Sequence, residues 1–321
     1  MKPQYRWDPS PLKRSLLELS DDVVADAGPL LADYRAYYGL PEPAGTHRMY
    51  KMMLEGYELA VQQWRTPNAR GNLLMVHGYY DHVGLYGNLI EFAQQQQLNI
   101  LTFDLPGHGL SSGEPATIDD FDTYQRVFDA LLQHGQGIWA DLPWVVAGQS
   151  TGGATLTTWL MTHRPEVDDS IVKDVWLLAP LLRPTGWNSG RWVHSVARFF
   201  IKRLRRRFTL DGNNRPFFEF VARHDPLQAS HLSVQWVTAL KRWIGWMEHQ
   251  PALEFPMLMI QGTADNTVEG RHNLREYQRL FPSMAVEIII DGQHHLVNET
   301  PERLDHIFKV LQQRLKGILT P

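Results

Sequence analysis

A serine, an aspartate and a histidine, each just past a short apolar run, are the residues of this chain whose types and order could do covalent chemistry. Ser150 stands in Gly148-Gln149-Ser150-Thr151-Gly152, directly after Val145-Val146-Ala147. G-x-S-x-G is the pattern of a nucleophile elbow, a sharp strand-to-helix turn that lifts the serine Oγ above a sheet and leaves no room for side chains two positions to either side. A serine hydroxyl is a weak nucleophile at neutral pH. It needs a histidine to take its proton and an acid to fix that histidine's tautomer. Asp265, in Gln261-Gly262-Thr263-Ala264-Asp265-Asn266-Thr267-Val268, and His294, in Asp291-Gly292-Gln293-His294-His295, follow two further apolar runs and supply those types. The chemistry is acyl transfer through a serine ester, and it calls for no cofactor. Taken alone, the elbow pattern also fits a glycine-rich turn with an incidental serine, so the surrounding elements decide.

Those elements alternate. Short apolar runs predict strands at 72–76, 99–103, 144–147 and 175–179, and longer periodic stretches predict helices near 85–97, 118–134 and 151–163. Strand-helix alternation with apolar strands predicts an α/β fold, a mostly parallel sheet covered on both faces. Ligands of such sheets sit outside the carboxyl ends of the strands, and His77, Asp104 and Ser150 all fall just past a strand end. Upstream, 47–54 and 57–64 joined by Glu55-Gly56 predict an antiparallel hairpin. Residues 1–45 form an N-terminal extension with a short helix expected before Gly39-Leu40-Pro41, and no chemistry is assigned to it. The alternation stops after Pro180. Residues 181–250 contain two helical patterns and five of the 11 tryptophans, which predicts a helical lid inserted between core segments 46–180 and 251–321. The sheet pattern resumes with strands 257–260 and 286–290, a helix near 269–280 and a terminal helix near 303–316.

Composition narrows the function classes. The 321 residues are 43% hydrophobic and carry a net charge of -4, an ordinary globular balance that points away from nucleic acid. Charge is nevertheless segregated, since 181–250 holds 12 Lys/Arg against 4 Asp/Glu. With no cysteine, thiolate nucleophiles, disulfides and cysteine metal sites are excluded. The 14 histidines show no H-E-x-x-H spacing, so no metal is expected. The first residues lack an apolar signal-peptide core and no run reaches the roughly 20 apolar residues of a membrane span, so a cytoplasmic protein is expected. Within Arg191–Phe208, apolar residues recur every three or four positions among seven positive charges. This predicts a lid helix packed on the body with a basic outer face, able to make weak, reversible contact with anionic membrane. Leu232, Trp236, Leu240, Trp243, Ile244 and Met247 predict a second lid helix over 231–247.

Four blocks resemble the α/β-hydrolases, and among them the monoacylglycerol lipase and lysophospholipase-like serine hydrolases. His77-Gly78-Tyr79-Tyr80-Asp81-His82-Val83-Gly84-Leu85-Tyr86 is similar to H-G-x-x-E-H-S-x-R-Y, with Asp for Glu, Val for Ser and Leu for Arg. Asp104 to Gly113 resembles D-x-x-G-H-G-x-S-x-G, Ser150 lies in G-x-S-x-G-G, and His294 to Glu299 looks like H-E-L-x-N-E. The order Ser150, Asp265, His294 is that of the α/β-hydrolase fold. The resemblance implies Ser150 as nucleophile, Asp265 as acid and His294 as base, with backbone N–H groups of Tyr79 and Thr151 as the oxyanion hole. His295 stands where the family has Glu, and Leu296 with Asn298-Glu299 sets the register that selects His294. His77, His108 and Asp104 are implied to brace loops. The implied substrate is a small lipid-like carboxylic ester, a monoacylglycerol or lysophospholipid; transfer to another acceptor and amide cleavage use the same constellation. A non-catalytic binding module on this fold would be expected with a damaged triad, and dehalogenase or epoxide-hydrolase chemistry would need aspartate at position 150.

Overall fold

The computed structural model describes residues 6–16, 28–189, 201–206 and 212–319. Two short helices open it, α1 (Ser10–Ser15) and α2 (Gly28–Tyr38), the latter ending at Gly39 with φ +66°. Strands β1 (Thr46–Leu54) and β2 (Tyr57–Arg65) pair antiparallel through Glu55-Gly56, as their alternation predicts. Then β3 (Gly71–Val76), α3 (Gly87–Gln95), β4 (Leu98–Phe103), α4 (Asp122–Ile138), β5 (Trp144–Gln149), α5 (Thr151–His163) and β6 (Val172–Leu178) follow in alternation. After an excursion come β7 (Arg203–Arg205), α6 (Arg215–Arg223), β8 (His231–Ser233) and α7 (Val234–Glu248). The sheet resumes with β9 (Met257–Gly262), α8 (Gly270–Leu280), β10 (Ala285–Ile289) and α9 (Pro301–Lys316).

Eight strands form one sheet in the order β1-β2-β4-β3-β5-β6-β9-β10. From β4 to β10 every neighbour is parallel, and only the β1-β2 hairpin and its seam with β4 are antiparallel. Successive side chains on a strand face opposite ways, and both faces here are buried. Leu74, Val146, Val175, Leu177 and Met259 join one apolar core with α4, α5 and α7. Leu73, Met75, Val145, Trp176 and Ile260 join the other with α2, α3 and α9. That double covering makes the strands continuous apolar runs. It also brings the carboxyl ends of β3, β4, β5, β9 and β10 to one edge.

The segment between β6 and β9, which are sheet neighbours, departs from expectation twice, for α6 is a helix that no expected pattern covers and Arg203–Arg205 is a strand. A helix was expected across Arg191–Phe208, but Arg203–Arg205 is a strand paired antiparallel with His231–Ser233. Residues 190–200 and 207–211 of that expectation lie outside the described residues. The second expected helix begins at Val234, because Ser233 Oγ caps it by accepting from Trp236 N–H at 3.3 Å. Among the described residues no helix is long and apolar enough to cross a membrane.

Candidate active site

Ser150 occupies the turn between β5 and α5 with φ 52° and ψ -111°, a backbone conformation that L residues adopt only when their surroundings impose it. Those surroundings are specific. The Ser150 N–H donates to Leu178 O at 2.9 Å, and its carbonyl accepts from Leu181 N–H at 3.0 Å. A Cβ at Gly152 would lie 2.1 Å from the Val76 carbonyl oxygen, and one at Gly148 2.4 Å from the Gly152 carbonyl carbon. Thus two glycines let β5, β3 and α5 approach closely enough to hold the serine on its strained turn.

Asp265 and His294 arrive on the loops after β9 and β10. Gly262 permits that meeting, since a Cβ there would stand 2.1 Å from the Gly292 carbonyl oxygen. His294 Nδ1 lies 2.8 Å from Asp265 Oδ2, and because a carboxylate only accepts, Nδ1 carries the proton and Nε2 is left with its lone pair. Asp265 Oδ1 accepts from Thr267 N–H at 2.8 Å and Val268 N–H at 3.1 Å, and Oδ2 also accepts from Gln261 Nε2 at 3.0 Å. Burial pushes this carboxyl up, but the neighbouring His294 and the N–H donors more than offset it and hold it below the usual carboxylate range. Gln149, the residue before Ser150, donates from Nε2 to His294 O at 2.7 Å and so ties the elbow to the histidine loop.

His295 points elsewhere. Its Nε2 stands 3.0 Å from Asp81 Oδ2, away from Asp265. Asp81 also accepts from Tyr86 O–H at 2.8 Å. Thr151 is the first residue of α5, where a backbone N–H has no intrahelical partner and the helix dipole is positive. Tyr79 follows Gly78, whose place for a Cβ is only 3.3 Å from Ser150 Cβ. The bulk of the Tyr79 side chain lies flat on Trp236, ring centroids 3.8 Å apart, with its O–H donating to Ala116 O at 2.7 Å.

Ser150, Thr151, Tyr79, His294 and His295 line one cavity of about 540 Å³. Its other walls are largely apolar, including Leu181, Val221, Leu232, Trp236 and Val268. Three lining residues escape any sequence signal: Phe217, Phe218 and Val221 come from α6 of the inserted segment, where no recognisable spacing fixes the register, and Arg206 joins them from the end of the expected lid helix. The remaining loop residues serve as braces. His77 Nδ1 donates to Gly78 O at 2.8 Å while Nε2 accepts from Leu105 N–H at 2.8 Å. Asp104 accepts from Val83 and Leu110 N–H, both at 2.8 Å, and its burial pushes the carboxyl up. His108 Nδ1 donates to Pro106 O at 2.9 Å.

A family model described as serine aminopeptidase, S33 (Hydrolase_4) matches residues 67–301. The chain is 26% identical over 263 residues to monoglyceride lipase of Mus musculus, spanning 77% of this chain and 83% of that one. It is 22% identical over 250 residues to phospholipase YtpA of Bacillus subtilis, spanning 77% and 95%. Among solved structures, a soluble variant of Saccharomyces cerevisiae monoglyceride lipase in complex with a substrate analogue superposes with a TM-score of 0.73 at 16% identity, covering 88% of this chain and 99% of that one. The monoacylglycerol lipase of Paleococcus ferrophilus gives 0.69 at 20% identity, covering 81% and 99%. These structures share the α/β-hydrolase fold with this chain.

Proposed function

The chain belongs to the Hydrolase_4 family described as serine aminopeptidase, S33, and from that premise we propose that this serine hydrolase cleaves carboxylic esters of monoacylglycerol or lysophospholipid type through an acyl-enzyme on Ser150. One observation carries the reading: His294, oriented by Asp265 at 2.8 Å, faces the same cavity as the elbow serine. In this proposal His294 Nε2 takes the Ser150 proton as Oγ attacks the acyl carbon, then returns it to the leaving alcohol. The imidazolium formed in between is steadied by the Asp265 carboxylate. The Tyr79 and Thr151 N–H groups stabilise the oxyanion, a water repeats the sequence to free the acid, and no cofactor takes part. The apolar walls suit an acyl chain. Residues 181–250 act as the lid over this cavity.

The family description also favours a second reading, amide cleavage at a peptide amino terminus. Such a substrate brings a free ammonium, whereas the walls here are mainly apolar and their carboxylate, Asp81, already accepts from Tyr86 O–H and stands 3.0 Å from His295 Nε2. Fluorophosphonate labelling and turnover of medium- and long-chain monoacylglycerols, lysophospholipids and aminoacyl-coumarin amides separate the two. Labelling lost in Ser150→Ala and turnover confined to the lipid esters are expected; Ser150-independent labelling would sink the mechanism. His294→Ala should lower kcat by about 10⁴ or more, and His295→Ala by less than about tenfold. The reverse order would assign the base to His295.

A further inference from the structure

A second buried histidine-aspartate pair lies outside the reaction chemistry, and it joins three parts of the chain distant in sequence. Asp225 follows α6, the helix whose Phe217, Phe218 and Val221 form one wall of the cavity. His82 Nε2 donates to Asp225 Oδ2 at 2.9 Å with both side chains fully buried. The tautomer is set locally, because His82 Nδ1 accepts from Gly84 N–H at 3.2 Å. Tyr38, from the N-terminal extension, donates its O–H to Asp225 Oδ1 at 2.9 Å, and the adjacent Tyr37 O–H donates to His224 O at 2.6 Å. Both tyrosine rings pack against Phe220 of α6, and Trp7 packs on both tyrosines in turn.

We propose that Asp225 and Tyr38 are positioning residues, a latch by which the N-terminal extension and the His82 loop hold α6 as a closed wall over the cavity. The opposite end of α6 is fastened independently, since Asn214 Nδ2 donates to Asn298 O at 3.0 Å beside the His294 loop. Fixed only there, the helix would pivot about Asn214 and carry its phenylalanines away from the cavity. The latch also reaches the far wall. Gln228 Nε2 donates to Asp225 Oδ2 at 2.9 Å while its Oε1 accepts from Arg206 at 2.7 Å, and the Arg206 guanidinium lies 3.9 Å over the ring of Tyr80, the neighbour of Tyr79. A buried carboxylate with this many directed donors holds one geometry, because each lost donor leaves a charge without water or partner. Asp225 keeps its charge: burial pushes it up, and His82 with its other donors holds it below the usual range.

The latch predicts two separable effects of loosening, and only the second rests on the ester-hydrolase reading. Arg223, at the exposed end of α6, offers trypsin a bond beside the latch, whereas Arg215 precedes Pro216 and resists cleavage. Tyr38→Phe deletes one hydroxyl and keeps the ring packing; Trp7→Ala acts from the extension alone; Asp225→Ala removes the centre. Cleavage after Arg223 is expected to accelerate about tenfold or more in each, by local opening that exceeds the change at other sites and any accompanying fall in melting temperature. KM for a long-chain monoacylglycerol is expected to rise about fivefold while kcat for p-nitrophenyl acetate stays within about twofold, the signature of lost binding rather than lost chemistry. If Asp225→Ala fails to fold, the two milder variants decide. Unchanged cleavage after Arg223 in them overturns the latch even if no ester is turned over. Faster cleavage at all sites with a matching fall in melting temperature overturns it too, by showing a purely structural contribution. Accelerated cleavage with no ester turnover in the parent would retain the latch and remove the hydrolase reading.

Discussion

His47, His77 and His108 are buried as neutral rings, and their burial makes the protein sensitive to mild acid. Each is held well below the ordinary histidine value, His47 and His77 at about 3 and His108 at about 4, because burial disfavours the charged ring. In the unfolded chain they titrate near about 6.5. Between that value and their folded values the unfolded state binds more protons, so stability falls as pH falls through this window, by about 1 kcal/mol per pH unit for each ring. His82 runs the other way: Asp225 overcomes the opposing effect of burial and raises it, so its contribution is present in acid and lost as pH rises through its folded value. The depressed Asp265 and Asp225 contribute above the ordinary carboxylate range and lose that contribution only as pH falls through their folded values. Urea midpoints should therefore drop most steeply from pH 6.5 to 4. His47 stacks on Trp64 at 3.6 Å, away from the cavity, and its Nε2 meets Gln62 Oε1 at 3.0 Å. His47→Gln supplies an amide donor that never charges and should flatten the slope by about 1 kcal/mol per pH unit; an unaltered slope would show that this ring does not titrate as its burial requires. The same contrast explains which residues were legible. Ser150, Asp265 and His294 could be named as candidates because each follows a strand end in chain order, with the resemblance fixing the register between His294 and His295. Asp225 could not, since its partners stand at positions 38 and 82 and nothing local marks it.

At the scale of elements, the terminal helix meets the sheet through an exposed pair, His306 with Glu287 of β10 at 2.6 Å, and a buried one. Arg314 of α9 donates from Nε to Asp174 Oδ2 at 2.8 Å and from Nη2 to Oδ1 at 2.5 Å, on a β6 carboxylate that also accepts from Trp176 Nε1 at 3.0 Å. The Asp174 side chain is 1% exposed, so Arg314→Met would leave a buried carboxylate with no cation and only two neutral donors, the Trp176 indole at 3.0 Å and the Val175 N–H at 3.1 Å. That should cost about 3 kcal/mol in urea unfolding without changing kcat per folded molecule. A loss below about 1 kcal/mol would mean that apolar packing, not the pair, docks the helix. Element type was readable wherever apolar period and length were both strong, as in β3, β4, β5 and α5. Boundaries slipped where tertiary packing overrode local preference. The helix expected at 118–134 runs Asp122–Ile138 because Gly135, an apparent breaker, sits where a Cβ would be 2.3 Å from the Trp144 ring. Tertiary pairing likewise made Arg203–Arg205 a strand despite its helical spacing, the β8 partner of Leu204 being 28 residues away at Leu232.

Across the whole molecule, charge is distributed as a basic insertion on an acidic body. Residues 181–250 carry 12 Lys/Arg and 4 Asp/Glu in a chain of net charge -4. In the described part of that insertion, Lys202, Arg203 and Arg205 are exposed, with Ile201 at 38% and Leu204 at 45% between them, so cationic and apolar groups share one surface strip. Arg203 spends part of its charge on the exposed Glu114. On the proposed lipid-ester reading the enzyme would gain from being held near its substrate, and we propose that this strip binds anionic bilayers reversibly, with each basic residue near the surface contributing about 1 kcal/mol. Such attraction fades over a Debye length of about 10 Å at 0.1 M salt. Sedimentation with phosphatidylglycerol vesicles at low salt is therefore expected, with little on phosphatidylcholine and release by about 0.5 M salt. Lys202→Glu with Arg205→Glu should weaken binding by about tenfold or more while leaving turnover of a short soluble ester intact. Binding indifferent to lipid charge and salt, or unchanged in the double variant, would place any membrane contact elsewhere or on apolar insertion alone. Because the strip lies on the same inserted segment as Arg206 of the cavity wall, vesicle binding that also lowers KM for long-chain esters would tie the surface to the site.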